Sequence, residues 1–162
     1  MRQLSPARQR GLTLVELMVG LGIAAFLALS AAPHLADYAT NSRLREAGNL
    51  LYSEALLAQS EAIKRNRPVR LASNGSTVQV LDIADPANPV QLRERTLPGN
   101  VSTANAALAF GSEGRPVPFG TSAAINLSIS GITCSSDQRC PGLRVDAGGA
   151  IRLCANHLDN CS

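Results

Sequence analysis

The pattern of apolar residues along the chain of 162 residues changes twice, first near residue 37 and then near Pro68. Residues 12–36 are almost all apolar or small, and Glu16 and His34 are their only ionisable side chains. These 25 residues exceed the roughly 20 that a helix needs to cross a bilayer. The first pattern therefore predicts a membrane-spanning helix near the N-terminus.

Within residues 37–65 the apolar positions recur every three or four residues, as in an amphipathic helix. The stripe consists of Leu44, Ala47, Leu51, Ala55, Ala58 and Ala62. The charged residues of this segment, expected on other faces, are Glu46, Glu54, Glu61 and Lys64. Pro68 predicts the end of the helix, and Gly48 is a weak point that costs about 1 kcal/mol relative to Ala. Residues 12–66 are thus expected to form one long helix, half in a membrane and half packed on a head domain.

Beyond Pro68 the spacing changes to alternation of apolar and polar residues, which is typical of half-buried strands. We expect about seven short antiparallel strands, with hairpin turns at residues 73–76 and 147–149. The candidate strands are residues 69–72, 78–81, 91–97, 108–110, 124–130, 143–146 and 150–153. One sheet face is expected to pack on the apolar stripe of the helix and the other to be mostly polar. The predicted fold class is α+β.

Charge is concentrated before the apolar run. Arg2, Arg8 and Arg10 account for the formal net charge of +3, because the rest of the chain has 12 basic and 12 acidic residues. The positive-inside rule places residues 1–11 in the cytoplasm and the head on the other side of the membrane. Aromatic residues are only 3% of the chain, without Trp, which argues against a base-stacking platform. The sequence contains no recognisable catalytic arrangement, and it predicts neither an enzyme nor a metal or cofactor site.

Glu16 distinguishes three interpretations of the N-terminus. An ordinary secretory signal cut near residues 30–32 would have Pro33 just after the cleavage site and Glu16 inside its apolar region. In a simple anchor, a deep Glu16 costs roughly 2.5–3.5 kcal/mol without any compensation. In the third interpretation Glu16 is functional and pairs with a cation. Cleavage after Gly11 would provide that cation, the new amine of Leu12 on a neighbouring copy.

The segment Gly-Leu-Thr-Leu-Val-Glu, residues 11–16, resembles the class III prepilin signal of the type IV pilin and type II secretion pseudopilin superfamily. The resemblance implies that a prepilin peptidase cuts after Gly11 and methylates Leu12, where most members have Phe. It also implies that Glu16 pairs with a neighbouring subunit during assembly, and that Pro33 is the helix-kinking proline common in the family. A pilin fold follows, with a long N-terminal helix packed against antiparallel β-sheets.

Three further segments resemble the GspH/FimT branch of that superfamily. They are residues 58–65 at the helix end, 110–116 in the middle of the head and 148–154 in the C-terminal hairpin. The resemblance implies a minor pilin at or near the tip of a type IV pilus, in contact with other major and minor pilins. It implies a leader (1–11), an inner-membrane and filament-core helix (12–36), an amphipathic half-helix (37–66) and a periplasmic head (67–162). A GspH-like pseudopilin of type II secretion is an alternative.

A second alternative is DNA capture for natural transformation, because some FimT-like pilins bind DNA through a C-terminal Gly-Arg-x-Arg motif. This chain has Gly-Ala-Ile-Arg at residues 149–152, so that only Arg152 of the two arginines is retained. Arg139 and Arg144 are expected to join Arg152 in one basic patch if the C-terminal tail folds beside the hairpin. Phosphate binding depends on the number of cations in such a patch.

The four cysteines all lie in the exported part of the chain, where an even number favours disulfides. The pairing Cys134–Cys140 with Cys154–Cys161 is favoured because each bond closes a short loop. The cross-pairing Cys134–Cys154 with Cys140–Cys161 stays open. Sequence spacings of six and seven residues between cysteines fit a zinc site poorly.

Overall fold

The computed structural model of the protein describes residues 13–159. One helix and eight strands occur in this part of the chain. They are α1 (Leu14–Arg65), β1 (Val69–Gly75), β2 (Thr77–Asp82), β3 (Val90–Thr96), β4 (Val101–Phe110), β5 (Pro116–Val117), β6 (Ala123–Ile129), β7 (Gly142–Val145) and β8 (Ile151–Cys154). The chain divides into two compact units, with the boundary between Asp37 and Tyr38.

The N-terminal unit is helical from Leu14 onwards. The Thr13 Oγ1 atom accepts a hydrogen bond of 3.3 Å from the Glu16 backbone N–H, so Thr13 acts as the N-cap of the helix. The stretch Leu14–Ala31 has a mean hydropathy of 2.2 and none of it is buried, so this helix is long and apolar enough to cross a membrane. The predicted processing residues Gly11 and Leu12 lie outside the described residues, as does the side chain of Pro33.

In the second unit the strands form one antiparallel sheet in the order β3-β2-β1-β4-β6-β7-β8, and β5 pairs with β4. The expected number of strands was therefore too low by one, since the two-residue β5 was missed. The first hairpin is also tighter than expected: β1 continues to Gly75, and the pairing of Asn74 with Thr77 leaves only a short turn. Strand β4 begins at Val101, well before the predicted start at residue 108. The sequence does not predict this early start, because the alanine-rich middle of the strand shows no apolar alternation.

The core of the second unit confirms the predicted helix stripe. All six stripe residues of α1 are completely buried. They face inward side chains of the sheet, among them Val69, Leu71, Val80, Phe110, Leu127 and Leu143. The strands with alternating burial, such as β2 and β6, supply these side chains at every second position. Helix and sheet thus bury each other's apolar faces within this unit.

Gly48 permits a close contact between α1 and the segment that leads into β7. A Cβ atom at this position would lie 3.0 Å from the Pro141 Cβ and 3.4 Å from the Leu153 Cδ1. Gly48 lowers the intrinsic helix propensity of α1. Because it has no Cβ atom, it also lets the C-terminal part of the head approach the helix backbone.

Glu54 corrects an expectation from the sequence. The sequence predicts a position on a polar face of the helix, but only 3% of the residue is exposed. Its Oε1 atom lies 3.1 Å from the Arg93 Nε and 3.7 Å from the Arg95 Nε. Both arginines belong to the edge strand β3, which pairs only with β2 in the described sheet. The carboxylate is buried because two partly exposed guanidinium groups cover it and balance its charge.

Candidate functional site

The N-terminal unit offers a long apolar surface with a single carboxylate near its start. The side chains of Leu14, Leu21 and Phe26 are all more than half exposed. Nothing lies within 4 Å of a Cβ atom built at Gly20 or Gly22. Glu16 stands in the first helical turn, where the helix dipole favours a negative charge. The surface is suited to a lipid environment or to other apolar helices.

In the second unit, one side chain connects the three segments that carry the family resemblance. The Gln59 Nε2 atom donates hydrogen bonds of 2.7 Å to the backbone oxygens of Gly114 and Gly149. Gly149 has a φ of +91°. A Cβ atom there would lie 2.5 Å from the Gly114 oxygen. Glycine is therefore required at this position both by the backbone conformation and by the close contact.

No sequence pattern predicts this role of Gln59, because both acceptors are backbone atoms far along the chain. Thr13 is different. The pattern Thr13-x-x-Glu16 has the spacing of a capping box and was readable from the sequence.

The structure brings together two of the three predicted DNA-binding arginines. Arg144 and Arg152 are register partners across β7 and β8. They line a cavity of about 270 Å³ together with Asp146. The Arg152 Nη2 lies 3.6 Å from the Asp146 Oδ2. Arg139 lines a separate cavity, so the predicted patch contains two arginines and one carboxylate.

Arg144 is also engaged in holding the C-terminal tail. Its Nη1 atom donates to the Asn126 Oδ1 at 2.7 Å, and its Nη2 atom donates to the His157 backbone oxygen at 3.3 Å. The His157 backbone N–H in turn donates to the Cys140 oxygen at 2.7 Å. Arg144 thus has a structural role, and Arg152 is the more exposed cation of the pair.

The disulfide between Cys134 and Cys140 confirms the first predicted pair. It excludes the cross-pairing, which needed Cys134 to bond Cys154. Cys154 is disulfide-bonded as well, and its predicted partner Cys161 lies outside the described residues. Within residues 13–159 no group of three or more metal-binding side chains is present.

This combination of an apolar N-terminal helix and a head built from a helix and an antiparallel sheet defines a type IV pilin-like subunit. The solved structures that share the fold include the following two. The crystal structure of the Pseudomonas aeruginosa type IV minor pilin FimU is 20% identical with a TM-score of 0.58, and the similarity covers 69% of this chain and 88% of FimU. The solution structure of Escherichia coli GspH is 13% identical with a TM-score of 0.56, covering 75% of this chain and 94% of GspH.

Family profiles give the more specific assignment. The profile of the type II transport protein GspH matches residues 47–149. The prokaryotic N-terminal methylation motif matches residues 6–32. The chain belongs to the GspH family and is a GspH/FimT-like minor pilin or pseudopilin. No individual curated protein is similar enough in sequence to count as a match.

Proposed function

We propose that the protein is a minor subunit of a type IV pilus, incorporated at or near the tip to support assembly. The observation that carries this proposal is the apolar segment Leu14–Ala31, none of which is buried and which lies within the match to the methylation motif, in a chain with a GspH-type head. Such a segment needs an apolar environment outside the chain, which a membrane supplies before assembly and other pilin helices supply afterwards.

In this proposal a prepilin peptidase removes residues 1–11 and methylates the amine of Leu12. Residues 12–36 first anchor the chain in the inner membrane as a single span, with residues 37–66 and the head 67–162 in the periplasm. They then join the filament core, where Pro33 would kink the helix. The pilus would carry the head to or beyond the cell surface.

Glu16 sets the register of the subunit in the filament. Its carboxylate would pair with the Leu12 amine of a neighbouring major or minor pilin. In an apolar filament core a lone carboxylate is costly, and a cation close to it offsets much of that cost. Docking is then favourable only where the carboxylate and the amine meet.

The test is the Glu16→Gln variant, which keeps the size of the side chain and removes its charge. We expect normal cleavage after Gly11 but about tenfold less of the protein in sheared filaments. Glu46→Gln is the matched control, since Glu46 is an exposed glutamate in the head-unit part of α1. Equal incorporation of wild type and Glu16→Gln would remove the role assigned to Glu16.

The Arg144 and Arg152 pair supports DNA capture as a second candidate function. The full-length protein would bind duplex DNA with an affinity that falls as salt is raised, because phosphate contacts release counterions. Arg152→Gln is expected to lower the salt-dependence slope by about 0.9 for one lost phosphate contact. Arg70→Gln, on β1, is the control. Absence of DNA binding at low salt would leave the assembly role alone.

A type II secretion pseudopilin would have the same fold and N-terminus. The two roles differ in their cellular consequence: loss of a pseudopilin blocks protein secretion, whereas loss of a type IV pilus subunit impairs piliation and twitching. A deletion strain that keeps its pili and loses secretion would contradict the pilus assignment.

A further inference from the structure

A cavity of about 470 Å³ lies in the second unit where α1 meets the C-terminal part of the head. Tyr38, Asn41 and Arg45 line it from the helix. Their spacing of three and four residues places them along one helix face. Asp137 and Arg139 line it from the loop closed by the Cys134–Cys140 disulfide. This cavity is separate from the Arg144 and Arg152 pair and from the apolar N-terminal segment.

Two guanidinium groups give the cavity a positive character. Arg45 is exposed and forms no ion pair with any described residue. Arg139 donates from its Nε atom to the Ser136 backbone oxygen at 3.3 Å, so its two terminal nitrogens stay available. The carboxylate of Asp137 is the single opposite charge among the lining residues. The lining residues therefore have a formal net charge of +1, which favours the binding of one carboxylate.

Asn41 connects the helix side of the cavity to the disulfide loop. Its Nδ2 atom donates to the Asp137 backbone oxygen at 3.4 Å, which orients the side-chain amide. Its Oδ1 atom is sequestered from solvent and has no hydrogen-bond donor among residues 13–159. Buried polar atoms in native proteins are nearly always paired. Since solvent does not reach this Oδ1 atom, it is not a contact point for an occupant, and Asn41 contributes through its hydrogen bond to the disulfide loop.

The rest of the lining is apolar and held in place. Pro141 and Leu153 line the cavity and approach the α1 backbone at Gly48. The disulfide at Cys140 adjoins the same segment. Tyr38, which is 73% exposed, stands at the cavity as a large apolar surface with a polar tip. The cavity is thus largely formed before any occupant arrives, which lowers the entropic cost of binding.

We propose that this cavity docks a short peptide segment of another protein subunit, in which one Asp or Glu adjoins an apolar residue. The carboxylate would bind Arg45 and Arg139, and the apolar side chain would contact Pro141 and Leu153. A nucleic acid fits less well, because a polyanion requires several cations and Asp137 would repel its phosphates. This inference does not depend on incorporation into a pilus.

The test uses the full-length protein in detergent micelles and a fluorescein-labelled peptide, Gly-Ala-Glu-Leu-Gly amide, followed by fluorescence anisotropy. We expect saturable binding with a Kd of about 1 mM or lower. The same peptide with Gln in place of Glu should bind about tenfold more weakly. No binding of the Glu peptide, or equal binding of the two peptides, would overturn the proposal.

Variants then place the peptide in this cavity. The double variant Arg45→Gln with Arg139→Gln is expected to bind the Glu peptide about tenfold more weakly. Arg43→Gln is the matched control, because Arg43 has the same charge on the same helix but packs beside Gly99. Unchanged affinity of the double variant would contradict the proposal. Displacement of the peptide from the wild type by an oligonucleotide of equal charge, but not by excess unlabelled peptide, would also contradict it.

A further variant separates docking from a purely structural effect. Asn41→Asp has nearly the same size but brings a second negative charge beside the guanidinium groups. It should weaken binding of the Glu peptide more than binding of the Gln peptide, whereas a general loss of structure would weaken both equally. If the protein self-associates and the double variant does not, the docked segment belongs to a second copy of this chain, which supports the proposal.

Discussion

The two parts of α1 differ in where their apolar side chains lie. In Leu14–Ala31 large apolar residues occupy every face and none of the stretch is buried. In the second unit the apolar residues form one narrow stripe, rich in alanine, which the sheet covers completely. The first part needs an apolar environment outside the chain, whereas the second part packs against the sheet of the same chain. Folding of the head depends on the second part, and the proposed function assigns assembly to the first.

The largest expected difference between the two parts is in the effect of a leucine truncation. Leu51→Ala, in the buried stripe, should lower the free energy of unfolding by about 2–5 kcal/mol, because it removes buried methyl groups and leaves a cavity. Leu21→Ala, in the exposed apolar part, should change it by less than about 0.5 kcal/mol. Denaturant unfolding of the full chain in detergent, followed by circular dichroism, measures both. Similar losses in the two variants would contradict the division of roles.

A smaller effect is expected at the contact between the two loops that Gln59 connects. Gly149→Ala combines an unfavourable positive φ with a clash against the Gly114 oxygen, and should destabilise the head by about 2–4 kcal/mol. Gly131→Ala is the control, since Gly131 has a φ of +82° but nothing within 4 Å of the added Cβ. It should cost about 1–2 kcal/mol. The difference between the two melting temperatures measures the loop contact, and equal values would show that the contact contributes nothing.

Gln59 itself should contribute less than Gly149. Gln59→Ala leaves two backbone oxygens without their donor and should destabilise the head by about 1–3 kcal/mol. Gln79→Ala removes a partly exposed glutamine that donates to Glu94 at 2.6 Å. Because that hydrogen bond is open to solvent, the cost should be within about 0.5 kcal/mol. Thermal unfolding of the two variants makes the comparison, and an equal loss would argue against the connecting role of Gln59.

The smallest expected effect concerns acid stability at the end of α1. The pKa of Glu61 lies below its ordinary value of 4.5, chiefly because the Arg65 guanidinium donates a hydrogen bond to the carboxylate. A carboxyl pKa that is lower in the folded chain stabilises the fold above the unfolded pKa, and this stability is lost as the pH falls through the folded pKa. Glu61→Gln should therefore show a slightly smaller drop in melting temperature between about pH 6 and pH 3 than wild type. Glu46→Gln, outside these ion pairs, should behave like wild type.

The sequence predicted the parts of the fold that depend on local periodicity. The stripe from Leu44 to Ala62 was readable because helical spacing alone places its residues on one face. The pairing of Cys134 with Cys140 followed from their short separation. The buried position of Glu54 was not readable, because its partners Arg93 and Arg95 come from a strand about 40 residues further along the chain. Its charge also argued for the opposite position.

The candidate sites divide in the same way. The apolar segment and Glu16 could be identified from the sequence, since one stretch of chain contains the whole feature. The separation of Arg139 from Arg144 and Arg152 could not, because it depends on how the disulfide loop lies against α1. The cavity at Tyr38, Asn41 and Arg45 was missed for the same reason. A site built from distant segments requires the tertiary structure.

Processing of the chain as a pilin is tested by the intact mass of the protein extracted from the inner membrane of its native host. We expect a chain that begins at Leu12 and is heavier by one methyl group, with both disulfides formed. A Gly11→Val strain should contain only the chain with residues 1–11 attached. A wild-type chain that begins after residues 30–32, or one that retains residues 1–11, would contradict processing as a pilin.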